Sequence, residues 1–252
     1  MTCDICKDRG VVPVPEDKVV VLCECVADLC ECDGEWPFFG HEDYCPAFTD
    51  HNRARMATVS LAAARVPSNH AWMFHRGQPQ EAWLWDRLKD VWKSLGDHDP
   101  CGFFFHGPPG TGKTMGASIL LNDLILGTGK RGRFTLTSSL FSEQQSTYND
   151  GSPNHGQGDR LLDRYVEVPY LLLDDFGRHK YSDFRKEVLF NLINARAERR
   201  VSAEQITIVT SNNTPEALKK LAGSAIMSRL AEMCDFVEMT GPDHRKAKRG
   251  KA

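Results

Sequence analysis

The run Phe103-Phe104-Phe105-His106-Gly107-Pro108-Pro109-Gly110-Thr111-Gly112-Lys113-Thr114 constrains this chain more than any other stretch. An apolar segment leads into it and a helix-forming segment from Met115 to Leu126 follows, which predicts strand, glycine-rich loop and helix in that order. Gly107, Gly110 and Gly112 let the backbone turn sharply and approach an anion, so that amide groups and the positive end of the next helix face the β- and γ-phosphates of a nucleotide. Lys113 is the candidate point charge for the terminal phosphates, and Thr114 is the candidate hydroxyl for Mg²⁺. Pro108, Pro109, Thr111 and Met115 complete the expected nucleotide-contacting stretch. A Gly/Pro-rich turn with no ligand is the plainer alternative, but it does not call for every one of these positions between a strand and a helix.

Beyond the loop, apolar runs alternate with helical periodicity. Strands are expected at Arg133 to Ser138, Tyr170 to Leu173, Ile206 to Val209 and Phe236 to Met239. Helices are expected at Leu140 to Tyr148, Ser182 to Arg199, Pro215 to Leu221 and Ser224 to Met233, with an exposed Gly/Ser/Pro/Asn-rich loop from Asn149 to Asp159. The pattern predicts an α/β fold with a central parallel sheet flanked by helices. Asp174 and Asp175 end the second of those strands, where open parallel sheets bind ligands. Asp174 is the candidate for orienting the Mg²⁺ shell and Asp175 for positioning or activating the attacking water. Asn212, just past the next strand, is a candidate holder of that water or of the γ-phosphate, although asparagine is common in turns. Arg229 lies beside the apolar face of Ile226, Leu230 and Met233, from which a cation can reach a neighbouring subunit or simply face solvent.

Charge and cysteine usage divide the chain differently. Residues 1–50 hold three Lys/Arg against twelve Asp/Glu, so an acidic head precedes a mildly basic body that ends in Arg245, Lys246, Lys248, Arg249 and Lys251. Seven of the nine cysteines lie at or before Cys45. Cys3 and Cys6, then, with sixteen residues between, Cys23 and Cys25, have the spacing of two turns joined by a tetrahedral Zn²⁺, with a small hairpin between them. Cys30, Cys32, His41 and Cys45 form a candidate second zinc set with less regular spacing. So short and acidic a head buries little apolar surface, and metal would supply much of its folding free energy. Cys101 and Cys234 border apolar runs and read as core residues. Between head and body, helices are expected from Arg53 to Arg65 and from Gln80 to Leu95, the second with Trp85, Leu88, Trp92 and Leu95 along one face. No run approaches the ~20 apolar residues of a membrane span, and the segment from Met1 to Asp4 has no signal-peptide character, so the expected compartment is the cytoplasm.

From Phe103 to Arg245 the chain resembles the AAA+ ATPases of the bacterial DnaC/DnaI helicase-loader and IstB transposition-helper group. The matching residues are Gly107 to Thr114, Leu171 to Gly177 with Asp174-Asp175 where many such proteins have Asp-Glu, Thr210 to Asn212, Ile226 to Leu230, and Gly241 to Arg245. The resemblance implies an AAA+ P-loop ATPase using ATP and Mg²⁺, with Arg229 acting in trans on a neighbour's ATP and Arg245 in cis, in an assembly formed with ATP. Cys3, Cys6, Cys23 and Cys25 are similar to the amino-terminal zinc module of DnaI-like loaders, which contacts the replicative helicase. The expected organisation is a zinc-binding partner-recognition domain at 1–50, a helical linker at 51–99 and an ATPase domain at 100–252 with a basic tail. The expected function is ATP-dependent loading of a hexameric, DnaB-like replicative helicase onto single-stranded DNA. The alternatives are an IstB-like ATPase regulator of a transposase and a zinc adaptor with a nucleotide switch.

Overall fold

A sheet of five short strands, the central three of them apolar enough to be buried on both faces, organises the protein, a computed structural model that describes residues 3, 5, 6, 9–27, 47–75, 84, 88, 90, 91, 102–178 and 181–244. In chain order the described elements are β1 (Val11–Val14), β2 (Val19–Leu22), α1 (Glu24–Ala27), α2 (Phe48–Ala63), β3 (Gly102–His106), α3 (Lys113–Thr128), β4 (Gly132–Leu136), α4 (Thr137–Ser146), α5 (Gly158–Val166), β5 (Tyr170–Asp174), α6 (Asp183–Ala203), β6 (Ile206–Ser211), α7 (Pro215–Ala222), α8 (Ser224–Met233) and β7 (Asp235–Glu238). Strands β3 to β7 form one sheet in the order β4-β5-β6-β3-β7, with every pair parallel.

Successive side chains of a strand point to opposite faces, and the two halves of the core follow that alternation. Phe103, Phe105, Leu172 and Ile208 pack with Ala57 and Leu61 of α2 and with Leu120 and Ile125 of α3. Phe104, Leu171, Leu173 and Val209 pack on the other face with Tyr165 of α5, Leu192 of α6, Leu218 of α7 and Leu230 of α8. The result is a sheet between two helical layers, as the alternating pattern predicts.

Arg196 ties the second layer together. Fully buried on α6, it donates to Thr207 Oγ1 at 2.8 Å and to the carbonyls of Tyr165, Val166, Val168, Pro169 and Ile206 at 2.7 to 3.3 Å. Burial pushes its pKa down to about 9, while the ring of carbonyls supplies acceptors for the cation.

Several boundaries differ from the sequence expectation. β4 stops at Leu136, and Thr137 opens α4 because its hydroxyl turns back to donate to the Asp174 carbonyl at 2.9 Å. Helix α5 was not anticipated, although Leu161, Tyr165 and Val166 follow helical spacing; the Gly/Ser-rich approach masks its start. Helix α2 begins at Phe48, upstream of Arg53. Of the helix expected at Gln80 to Leu95, Leu84, Leu88, Asp90 and Val91 are helical, and Trp85, Trp92 and Leu95 lie outside the described residues, as does Cys101.

The amino-terminal hairpin packs on α2. Val11 and Val20 join the same core cluster as α2 and α3, Val20 N donates to Thr58 Oγ1 at 2.8 Å, and Arg53 donates to the Arg9 carbonyl. Gly10 has φ 73° and lies so close to Asp50 that an added Cβ would stand 2.4 Å from its carboxylate oxygen, so this turn admits no side chain.

Candidate nucleotide and metal sites

The loop between β3 and α3 wraps the amino end of α3. Gly112 caps that helix in the left-handed region (φ 89°), and no side chain caps its first amides, which leaves them pointing toward the loop. Lys113 is buried and curls back to donate to Gly107 O at 2.7 Å and Pro108 O at 2.5 Å. The closing segment of the chain lies against the same loop. Met239 N donates to His106 O at 2.7 Å, His244 N donates to Gly110 O at 3.1 Å, and a Cβ on Gly110 (φ 83°) would overlap the Asp243 carboxylate at 1.9 Å.

β5 delivers Asp174 to this loop across an intervening strand. Asp174 is 4 % exposed, and its Oδ1 accepts from Thr114 Oγ1 at 2.9 Å and from Thr210 Oγ1 of β6 at 2.5 Å. Burial raises its pKa above the usual aspartate range, and the two hydroxyl donors oppose that rise. Sixty residues separate Thr114 from Asp174, so their contact records how the sheet closes the site. A hydroxyl and a carboxylate sharing one hydrogen bond beside a phosphate loop are the oxygen donors that Mg²⁺ takes.

Asp175 sits at φ 58°, a strained conformation for a residue with a side chain. Its N–H donates to Thr210 Oγ1 at 3.2 Å, and its carboxylate accepts from Arg178 at 2.9 Å. Asn212 follows β6 as an exposed residue, beside the loop because Ser211 O accepts from Gly107 N at 3.2 Å. Its neighbour Asn213 is the structural amide, donating to Gly177 O at 2.8 Å. Arg229 is a half-exposed residue of α8 paired with Glu232 at 2.8 Å, and Arg245 lies outside the described residues. Thr210 was quoted in the sequence pattern, but its role in linking Asp174 to the backbone of Asp175 was missed. The signal was its place two residues before Asn212 at the end of a buried strand.

The second cluster is in the head. One sulfur from each of Cys3, Cys6, Cys23 and Cys25 lies within 4.8 Å of the others, with Cys3 to Cys23 at 3.7 Å and Cys6 to Cys25 at 3.5 Å. Four thiolates at 2.3 Å from a tetrahedral Zn²⁺ stand about 3.8 Å apart, so the set fits that ion. The backbone amides of Cys6 and Ile5 hold the Cys3 thiol down at about 6, whereas the Cys6 sulfur beside it pushes Cys25 up. Thiols this crowded do not all ionise without a cation among them. Cys30, Cys32, His41 and Cys45 lie outside the described residues.

Comparison with known proteins agrees with this geometry. Residues 102–252 match the family described as IstB-like ATP binding protein. The chain belongs to that family. It is 34% identical over 128 residues to a protein named replicative helicase loader DnaC from Buchnera aphidicola subsp. Baizongia pistaciae, a match covering 51% of this chain and 49% of that one. It is 29% identical over 134 residues to the Escherichia coli K12 protein of the same name, covering 53% and 51%. The chain thus spans about half the length of the curated relatives it matches. The crystal structure of the DnaC helicase loader superposes with a TM-score of 0.52 at 22% identity, covering 71% of this chain and 98% of that one. A replication initiator DnaA bound to AMPPCP and single-stranded DNA gives 0.54 at 18% identity, covering 74% and 56%. These two likenesses establish that the fold, a parallel sheet between two helical layers, is shared. Among the described residues no helix is long and apolar enough to cross a membrane.

Proposed function

We propose that this protein is an ATP-dependent loader that places a hexameric replicative helicase on single-stranded DNA. The observation that carries the reading is the meeting of Lys113, Thr114 and Asp174 around one loop in a chain whose curated relatives are named helicase loaders. The four-cysteine head supports a loader over a zinc-free ATPase. The family match to IstB-like proteins supports the second reading, an ATPase that regulates a transposase.

In this reading Lys113 exchanges the Gly107 and Pro108 carbonyls for the terminal phosphates, and the first amides of α3 receive the remaining charge. Mg²⁺ would be held by Thr114 and Asp174 and would neutralise charge developing on the phosphates. Asp175 positions the attacking water and Asn212 holds the γ-phosphate side of it. Asp175 is one methylene shorter than glutamate and is engaged by Arg178, so hydrolysis by the isolated protein is slow. Arg229 reaches a neighbour's ATP after leaving Glu232, an exposed pair worth about 0.5 kcal/mol. Arg245 acts in cis, and Cys3, Cys6, Cys23 and Cys25 hold a Zn²⁺ that shapes the surface presented to the helicase. Size-exclusion chromatography with the replicative hexamer tests this. A stable co-eluting complex is expected, and co-elution with a transposase in its place favours the second reading.

A further inference from the structure

The nucleotide loop and Asp174 occupy the carboxyl ends of the parallel strands, and a second concave feature lies at the opposite end. Between the last turns of α2 and α5 and the start of β4 is a cavity of about 370 Å³ lined by Arg131, Arg133, Arg164 and Glu167, with Ser60 and Val168. A helix carboxyl end ordinarily repels anions because its last carbonyls are unpaired. Here three of the four at the end of α5 are occupied: Arg196 takes the carbonyls of Tyr165 and Val166, Gln205 donates to Val166 O at 2.8 Å, and Glu167 N donates to Asp163 O at 2.8 Å. Arg164 is therefore surplus to capping, and the buried Arg196 guanidinium places a cation behind the cavity wall.

Arg133 is fixed by its neighbours. It lies 4.3 Å over the Tyr165 ring, donates to Tyr165 OH at 3.0 Å and contacts Glu143 at 3.4 Å. Glu143 also stands 3.7 Å from Arg65. Arg131 and Arg164 are exposed at the rim and have no carboxylate partner among the described residues. The lining itself sets Arg131, Arg133 and Arg164 against Glu167, and Arg65 and Glu143 adjoin it through their ion pairs.

We propose that this cavity is a phosphate-binding site, separate from the ATP site, that takes the backbone of single-stranded DNA. The choice of DNA rests on the loader reading; the anion class rests on the arginines alone. Two rim guanidiniums present planar pairs of N–H donors that match phosphate oxygens, over a third that is already immobilised. At an open surface each neutralised phosphate releases counterions.

Full-length protein with ATP and Mg²⁺ is titrated into a fluorescent oligo(dT) by anisotropy over a range of KCl, beside Arg131→Ala/Arg164→Ala. Both rim residues are exposed and stand away from the ATP site, so the variant is expected to fold and bind ATP as the parent does, which circular dichroism and a nucleotide titration check. Loss of two contacts lowers the slope of log affinity against log salt by about 1.4 and weakens binding roughly 25-fold near 0.1 M salt. Arg131→Lys/Arg164→Lys recovers the slope, since charge sets it, with part of the affinity. Equal affinity and slope in parent and alanine variant overturn the DNA assignment, as does a parent that binds no oligo(dT), and phosphate binding that is also unchanged overturns the site. Inorganic phosphate separates the two sources: if the alanine variant loses phosphate binding while oligo(dT) binding is unchanged, the cavity serves free phosphate and the DNA assignment is wrong. None of these failures touches the loader reading, which the helicase complex tests independently.

Discussion

Around the phosphate loop, groups sixty residues apart are brought together by hydrogen-bonded strands: Thr114 and Asp174 meet because β5, β6 and β3 lie side by side. In the head, Cys3, Cys6, Cys23 and Cys25 are gathered by a hairpin of two four-residue strands, with Cys25 exposed. Such a hairpin is marginal by itself, while the sheet buries apolar surface on both faces. The difference is that strand pairing in a sheet packed on both faces fixes the body's site, whereas the head's thiols are gathered by a short hairpin that leans on α2, where a cation among the sulfurs would add to its stability.

Chelation should divide the two most sharply. Removing metal is expected to abolish protease protection of residues 1–27 and leave nucleotide binding by the body within about twofold of the parent. Metal analysis returning well under one equivalent of zinc, or ATP binding lost together with the head, would break the division. Arg196→Met probes the body alone. It leaves several buried carbonyls without donors and should cost about 3 kcal/mol or more of stability, read from denaturant midpoints, while zinc content stays unchanged.

Asp174→Asn separates stability from chemistry within the site. Because burial raises the pKa of Asp174 above 3.8, between 3.8 and its higher folded value the native chain keeps a proton that the unfolded chain has released. Nucleotide-free stability therefore falls as pH rises through that window, and the cost is complete above it. Asparagine does not ionise and keeps an oxygen for Thr114 and Thr210, so the variant should melt higher than the parent at neutral pH and lose Mg²⁺-dependent hydrolysis. The melting difference should shrink toward acid pH; a variant that melts lower at neutral pH contradicts the assignment.

Much of the candidate nucleotide site's layout was legible in the sequence because its parts are local: a glycine-rich turn, a lysine beside it, and carboxylates that end an apolar strand. The sheet order was not legible, since β6 enters between β3 and β5 and nothing in the strands' own residues announces it. Thr210 escaped for the same reason, as its value depends on a neighbour in space. Helix α5 was hidden by its Gly- and Ser-rich approach, and the role of Arg196 by its distance in sequence from the carbonyls it caps. The cysteine pairs were legible from spacing, and their sulfurs do converge.

The smallest expected effect concerns Arg178, whose ion pair with Asp175 is partly exposed. Arg178→Ala should raise basal ATP turnover a few-fold with KM little changed, because it frees the carboxylate without altering the phosphate loop. A fall in kcat would instead make Arg178 a group that positions Asp175 productively.

The central claim is tested most directly on a closed circle of single-stranded DNA coated with single-strand-binding protein, by counting replicative hexamers retained after gel filtration. With the parent protein and ATP, hexamers are expected on the circle; with Lys113→Ala, or with the parent and no ATP, they should be absent. Equal retention in all three conditions would contradict ATP-dependent loading by this protein.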